Sequence, residues 1–330
     1  MVDRQFLSRT AFFAAFFALG VIALGAYTRL MDAGLGCPDW PGCYGHVMAP
    51  LGDSLNTQAG KAWIEMIHRY FVGALSLFIL AIVFMIFSRK KYRTRSNITL
   101  AIILVGLLGY QIMLGQWTVT LKLLPIIVSQ HLLGGYLILA TLWSLHLNNK
   151  LYLSEKKMSP VPAVLPYALL GLLLLLLQIA LGAWTSTNYA SLSCTDFPFC
   201  QNDQSMTWHF REAFHLISPT GVNYEGGILP TVIRQTIQMT HRFGALILAV
   251  YFILLLSWAG IRLKQHPVLL KSLYVVTGLL FLQICLGISN VIFKLPLINA
   301  LCHTLFAALL LLALLTFIFN CIHVKREAQK

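Results

Sequence analysis

The chain has 330 residues, of which 58% are hydrophobic and 11% charged, and its mean hydropathy is +0.75. A soluble domain carries about a quarter charged residues, so this composition excludes a soluble globular protein and indicates an integral membrane protein. The formal net charge of +13 is mostly a signal of membrane topology, and no patch of basic residues indicates nucleic-acid binding.

Eight stretches are long and apolar enough to cross a membrane as helices, each needing about 20 residues. They are predicted at roughly 10–28, 66–88, 98–120, 126–147, 164–185, 239–261, 270–292 and 298–320. With the N-terminus inside, the inside segments hold 16 of the 24 Lys and Arg residues. This bias predicts that both termini are cytoplasmic and that two long loops, roughly 29–64 and 186–237, lie on the outer face.

The second half of the chain repeats the first. Residues 25–43 and 182–200 are identical at 9 of 19 positions without a gap, which predicts two units of the same fold. We therefore predict an all-α integral membrane protein whose eight transmembrane helices form two tandem, pseudo-twofold four-helix bundles, with the axis along the membrane normal. The predicted boundaries are 1–147 for the N-terminal unit, 148–163 for a cytoplasmic linker and 164–330 for the C-terminal unit.

Four histidines occupy matched positions, His68 and His131 in the first unit and His241 and His303 in the second. Each is predicted near the outer end of an even-numbered helix, so each unit offers two imidazoles at similar depth in one bundle. Such a pair suits the bis-histidine axial ligation of a haem. Hydrogen bonding to neighbours could explain any one membrane histidine, but it does not explain four in register.

Cations beside these histidines are candidates for binding haem propionates. Arg69 and Arg242 each directly follow a histidine at the aqueous boundary, and the guanidinium fork suits carboxylates. Snorkelling of an interfacial arginine explains both positions equally well. Arg29 is a weaker candidate, because the repeat places Ser186 at the equivalent position.

Each outer loop begins with two cysteines spaced six residues apart. On the oxidising face of a membrane we expect the disulfides Cys37–Cys43 and Cys194–Cys200. The spacing is too wide for the CxxC of a thioredoxin-like site, and no nearby histidines complete a zinc site. The pattern favours a structural disulfide in each loop. A redox relay between the cysteines remains the alternative.

Glu65 breaks the symmetry between the units. It precedes His68 by three residues and so lies on the same helix face, whereas Gln238 stands at the equivalent position in the second unit. Ionisable residues in membrane helices are costly and indicate functional sites. A symmetric electron carrier has no use for a carboxylate at one of two sites, whereas an enzyme with one haem as substrate does. An ion pair with Lys61 or Arg69 is the alternative.

With these features the sequence resembles the heme A synthase family in its bacterial form. The resemblance covers essentially the whole chain. Beyond the eight spans and the duplication, it rests on the ExxHR motif at Glu65 to Arg69, the QHLLGGY motif around His131, the GLGCPDWPGC loop over 34–43 and the THR of the second unit at 240–242. The second cysteine pair resembles the subgroup with cysteines in both outer loops.

The resemblance implies oxidation of the C8 methyl of heme O to a formyl group by two successive oxidations, yielding heme A for terminal oxidases. It implies that Glu65 is the catalytic carboxylate, that His68 and His131 flank the substrate heme O, and that His241 and His303 hold a heme b cofactor. Heme O synthase is then the expected upstream partner, the electron donor is unidentified, and a homo-oligomer stays open. The expected location is the bacterial inner membrane, in contact with lipid, with the haem sites toward the outer face.

Three other functions fit part of the sequence. A di-haem b transmembrane electron carrier explains the four histidines but not Glu65. A quinone-linked thiol oxidase uses the cysteine pairs and leaves the histidines dispensable. A transporter is supported by the duplication alone.

Overall fold

The computed structural model describes residues 2–50, 57–150, 163–200 and 207–328. They form α1 (Val2–Leu30), α2 (Gln58–Ser88), α3 (Arg95–Thr120), α4 (Pro125–Asn149), α5 (Leu165–Thr187), α6 (Phe210–Ala213), α7 (Thr231–Arg262), α8 (Pro267–Ile292) and α9 (Leu297–Ala328), with a 3-10 turn at Lys90–Tyr92 and no strand within these ranges. All but the short α6 are long and apolar enough to cross a membrane. The prediction of an all-helical membrane protein with eight spanning helices is confirmed. Most of the predicted linker, 151–162, lies outside the described residues.

Two helices begin well before their apolar stretches. Both α2 and α7 start eight residues ahead of the predicted spans at 66 and 239. Thr57 caps α2, because its side-chain oxygen accepts a hydrogen bond from the backbone N–H of Gly60 at 3.1 Å. The segments before the apolar runs are therefore helical, and they carry Glu65 and Gln238 on rigid backbone rather than on loops.

The helices of each half pack mainly against one another. In the first half α1 contacts α2 and α4, and α3 contacts α2 and α4; in the second, α5 contacts α7 and α9, and α8 contacts α7 and α9. Between the halves, α4 contacts α5 and α9, and α9 also contacts α1. The repeat pairs α1 with α5, α2 with α7, α3 with α8 and α4 with α9. Exchanging each helix for its counterpart leaves this set of helix contacts unchanged, as a pseudo-twofold pair of bundles requires. The division into two tandem four-helix bundles, the direction of their axis in the membrane and the domain boundaries stay predictions.

The turns on the histidine side of the two halves follow the same backbone path. After α1 the N–H of Ala33 donates to the carbonyl oxygen of Thr28 at 2.9 Å, and after α5 the N–H of Ala190 donates to that of Thr185 at the same distance. The residue preceding each alanine, Asp32 or Tyr189, has positive φ, 47° and 52° respectively. The sequence repeat therefore extends to local geometry.

The counterpart residues of these turns touch across the boundary between the halves. The Tyr189 hydroxyl donates a hydrogen bond to Asp32 Oδ1 at 3.2 Å, and Arg29 Nη2 donates to the carbonyl oxygen of Ser186 at 2.6 Å. The Arg29 guanidinium also lies over the Tyr189 ring, 3.6 Å from its centroid. Residue pairs related by the repeat thus meet each other, on the side of the molecule that carries the cysteine loops.

Candidate functional site

The four matched histidines lie at matched depths in their helices. His68 and His241 are each ten residues into α2 and α7, and His131 and His303 are each six residues into α4 and α9. These four helices, α2, α4, α7 and α9, are the second, fourth, sixth and eighth membrane spans. Because successive spans cross the membrane in alternating directions, all four start on the same side. The histidines therefore occupy similar levels, near the side on which the two cysteine loops lie.

Each histidine of α2 or α7 has a histidine of the same half as a neighbour. His68 and His131 lie near enough for an electrostatic interaction between their rings, and so do His241 and His303. Each pair joins two helices of one half, α2 with α4 or α7 with α9. The imidazoles thus form two separate sites rather than one cluster.

Glycines on the neighbouring helices make room for the imidazole rings. A Cβ added at Gly25 of α1 would lie 3.0 Å from His68 Cε1, and one at Gly182 of α5 would lie 3.2 Å from His241 Cε1. The corresponding distances for Gly115 to His131 and Gly287 to His303 are 3.5 and 3.1 Å. Each histidine thus packs edge-on against a helix backbone that bears no side chain at that level.

The sites fit a haem better than a bare metal ion. The Nδ1 atoms of His68, His131 and His303 are buried without a hydrogen-bond partner, although the residues themselves are partly accessible. No group of three or more His, Cys, Asp or Glu side chains in the described ranges could hold a metal ion. A haem supplies four ligands to its iron and needs two axial histidines, the number that each site offers.

Glu65 is buried, with 5% of its surface exposed, and it is bound by both the first cysteine loop and Arg69. Its Oε2 accepts a hydrogen bond from the backbone N–H of Cys37 at 2.8 Å, and its Oε1 forms an ion pair with Arg69. The ion pair considered as the alternative role of Glu65 therefore exists. Glu65 precedes His68 by three residues, about one helical turn, on α2, and its place in the histidine site stays a prediction.

Gln238 makes the equivalent connection in the second half without a charge. Its Oε1 accepts hydrogen bonds from the backbone N–H of Cys194 at 2.6 Å and from the Ser193 hydroxyl at 3.0 Å. Its Nε2 donates to the carbonyl oxygen of Ser191 at 2.6 Å. Fastening the cysteine loop therefore needs an oxygen acceptor at this position but not a carboxylate.

Arg69 and Arg242 hold the cysteine loops through backbone carbonyl groups. Arg69 Nη1 donates to the carbonyl oxygens of Asp39 at 3.0 Å and of Gly42 at 2.6 Å. Arg242 Nη1 donates to that of Asp196 at 2.6 Å and its Nη2 to that of Cys194 at 2.7 Å, while its Nε is buried without a partner. The propionate-binding role of Arg69, Arg242 and Arg29 stays a prediction.

Both predicted disulfides are present, with Cα–Cα distances of 4.9 Å for Cys37–Cys43 and 5.4 Å for Cys194–Cys200. Inside the first loop, the carboxylate of Asp39 accepts hydrogen bonds from the backbone N–H groups of Tyr44 and Gly45, each at 2.7 Å. The N–H of Gly45, followed by that of Tyr44 and the charge of Arg69, holds the pKa of Asp39 below its ordinary value. The loop is thus closed by both a covalent bond and a charge-assisted turn.

Sequence reasoning missed the side chains that fill the space around the histidines. Gly134 and Gly244, next to the histidine-bearing stretches of α4 and α7, lie against the side chains of Gln111 and Gln178. A cavity of about 530 Å³, lined by Pro125, Trp184, Glu212, His215 and Tyr224 among others, contains none of the four histidines in its wall. It therefore belongs to the second outer loop and not to either histidine site.

Comparison with known proteins identifies the family of this chain. Residues 8–315 match the family model described as cytochrome oxidase assembly protein. The heme A synthase of Shewanella oneidensis is 41% identical over 325 residues, covering 95% of this chain and 96% of that protein. The chain belongs to the heme A synthase family. Family members from Bacillus pumilus and Bacillus licheniformis are 24% and 25% identical, each over at least 94% of both chains.

Proposed function

We propose that this multi-pass membrane protein is a heme A synthase that oxidises the C8 methyl of heme O to a formyl group. One observation carries the proposal within the structure: two sites with matched histidine pairs and matched loops differ in having Glu65 at one and Gln238 at the other. The 41% identity to a protein named heme A synthase, over nearly all of both chains, supports the same activity. Two electron-carrying haems would not need this difference.

We assign the substrate to the first unit and the cofactor to the second. His68 and His131 would hold heme O beside Glu65, and His241 and His303 would hold heme b. When bound, heme b supplies a one-electron relay whose potential is set by its axial ligands and its burial. The unpaired Nε of Arg242 supports a carboxylate partner for this arginine, as a haem propionate would be.

The reaction requires the loss of four electrons from one carbon. With water as the source of oxygen, oxidation of the methyl to an alcohol and then of the alcohol to a gem-diol each takes up one water and releases two protons, and passes two electrons to an acceptor outside the protein. The gem-diol then loses water to give the aldehyde. Glu65 serves this chemistry either as a general base toward water or by stabilising positive charge that develops at the carbon. The Cys37 N–H and Arg69 fix the position of the carboxylate in both cases.

The proposed orientation places both sites near the outer face, with both termini in the cytoplasm. The excess of Lys and Arg in the segments predicted inside supports it, as do the positions of the histidines near the starts of even-numbered spans. Heme O synthase is the proposed source of the substrate. The partner that exchanges electrons with heme b, and any homo-oligomer, are left to experiment.

Haem extraction with mass analysis tests the assignment. The protein is purified after expression with and without a heme O synthase. We expect heme b under both conditions, and heme O or heme A in addition only when the synthase is present. His68→Ala should then lose the heme O and heme A fraction, whereas His241→Ala should lose heme b. Two heme b molecules under both conditions would instead support the di-haem b electron carrier.

A further inference from the structure

A polar pair of side chains lies on the outer surface of the first unit, between α3 and α4. The Tyr110 hydroxyl of α3 donates a hydrogen bond to Gln130 Oε1 of α4 at 2.8 Å. Tyr110 is 41% exposed, and Ile103, Ile112 and Met113 of the same helix are also exposed, as expected for a helix that contacts lipid. Tyr110 precedes the end of α3 by ten residues, and Gln130 follows the start of α4 by five. Both residues therefore lie within membrane-spanning helices.

The second unit has no such pair. The repeat that aligns the histidines of α4 and α9 places Leu282 at the position of Tyr110 and Cys302 at that of Gln130. Their surroundings are similar, because Leu282 is 45% exposed and Cys302 is partly exposed. The same surface is thus polar in the unit that carries Glu65 and apolar in the other.

The hydrogen bond leaves one acceptor and one donor of the pair unused. Because the Tyr110 hydroxyl donates its proton to Gln130 Oε1, its own oxygen can still accept. Gln130 Nε2 has two N–H groups and no hydrogen-bond partner in the part of the chain that the structure describes. A donor without a partner is costly where lipid replaces water. An alcohol matches both atoms, since it accepts from Nε2 and donates to the tyrosine oxygen.

The pair adjoins the histidine site of the first unit. Gln130 directly precedes His131 on α4, and α3 passes the ring of His131 at Gly115, where an added Cβ would lie 3.5 Å from His131 Cε1. The two helices that carry the pair are therefore the two that pack around His131. A substituent that leaves this site between α3 and α4 passes the pair.

We propose that Tyr110 and Gln130 bind the side-chain hydroxyl of heme O and thereby select heme O over heme b in the first unit. This inference rests on the proposed assignment of heme O to His68 and His131. Heme O carries a hydroxyethylfarnesyl group where heme b carries a vinyl group, so the hydroxyl distinguishes the substrate. A site that hydrogen-bonds a substrate hydroxyl rejects an analogue without it, because the polar groups of the site are then left unpaired.

Titration with the two haems tests the proposal. Full-length protein is expressed without heme O synthase, and binding of added heme O or heme b to its first unit is followed by absorbance. Tyr110→Phe removes the hydroxyl, and Gln130→Met removes the amide at similar side-chain length. Each variant should raise the Kd for heme O about fivefold, the effect of one hydrogen bond, and leave the Kd for heme b unchanged.

Tyr274→Phe is the matched control. It removes the hydroxyl of another exposed tyrosine, which lies near the start of α8 and so on the opposite side of the membrane from the histidines. Both Kd values should stay at the parental level in this variant.

An unchanged Kd for heme O in Tyr110→Phe and Gln130→Met would overturn the proposal. An equal rise in the Kd values for both haems, or complete loss of haem binding, would also overturn it, because a packing role does not distinguish the two ligands. Failure of the parental protein to bind heme O would instead defeat the proposed function on which the inference rests.

Discussion

The backbone N–H of Cys37 donates a hydrogen bond to Glu65 Oε2 at 2.8 Å, and this bond ties the first cysteine loop to the helix that carries His68. The second unit keeps the bond with a neutral acceptor, Gln238, at 2.6 Å. The position is therefore structural in both units and charged in one. Substitutions at these two residues can separate the structural contribution from the chemical one.

Glu65→Gln should keep the cysteine loop and both haems but abolish methyl oxidation. The amide oxygen can still accept the Cys37 N–H, as Gln238 does for Cys194, whereas base or charge-stabilising function is lost. We expect the rate of heme A formation to fall about 100-fold or more. Mass analysis of extracted haems, after expression with heme O synthase, measures the fraction of heme O converted.

The swapped double variant Glu65→Gln with Gln238→Glu provides the control. It conserves the number of carboxylates but moves the charge beside the other histidine pair. It should remain inactive if the position of the carboxylate matters. Normal heme A formation in the single variant Glu65→Gln would remove Glu65 from the mechanism.

Gly25→Ala should weaken the first site specifically. The new Cβ would lie 3.0 Å from His68 Cε1, so the ring must shift, and we expect occupancy by heme O to fall about tenfold. Gly20→Ala on the same helix is the matched control, because nothing lies within 4 Å of its added Cβ. The haem content of both variants is compared by extraction. Equal occupancy would show that the approach of α1 to His68 is not limiting.

Replacing Cys37 and Cys43 together by serine should lower stability without abolishing activity at a permissive temperature. A loop of this length predicts a loss of about 2 kcal/mol in the free energy of unfolding. Thermal unfolding and heme A yield are measured on the same preparations, with the exposed free cysteine changed by Cys285→Ser as the control. Activity lost at every temperature, with stability retained, would identify a redox relay.

The first cysteine loop should loosen in acid. The lowered pKa of Asp39 means that its contribution to stability is complete above about pH 4, the ordinary range of an aspartate, and is lost as the pH falls through the lower folded-state value. Pepsin cleavage of the loop should therefore rise as the pH falls below about 4. Asp39→Asn should be cleaved readily throughout and show less of this rise. Parallel profiles for the two proteins would contradict the prediction.

Much of this arrangement follows from sequence patterns alone. The eight spans follow from hydropathy, and the histidine pairs follow from the repeat, because equivalent residues of a duplicated fold occupy equivalent depths. The disulfides follow from two pairs of cysteines, each six residues apart, in loops predicted on the outer face of the membrane. The helical extension before Glu65 was not predicted, since it depends on the Thr57 cap rather than on apolar residues.

The contact of Gln178 Nε2 with His241 Nδ1, at 3.0 Å, lies beyond such patterns. It joins two helices in the second unit only, so the repeat gives no indication of it. The repeat shows that Gly25 and Gly182 occupy equivalent positions, but it does not show that they lie against His68 and His241. Which side chain faces which across neighbouring helices depends on their rotation and separation, which sequence periodicity does not determine.

The contacts of Tyr189 with Asp32 and of Arg29 with Ser186 have a consequence for the ancestry of the chain. Residues that meet their own counterparts form an isologous surface, the kind by which identical subunits pair around a twofold axis. A half-length ancestor with this surface would have dimerised through it, with two identical haem sites. Duplication of the gene let each copy mutate alone, and fusion kept the two copies in one chain. The two sites could then come to differ, with Glu65 at one and Gln238 at the other.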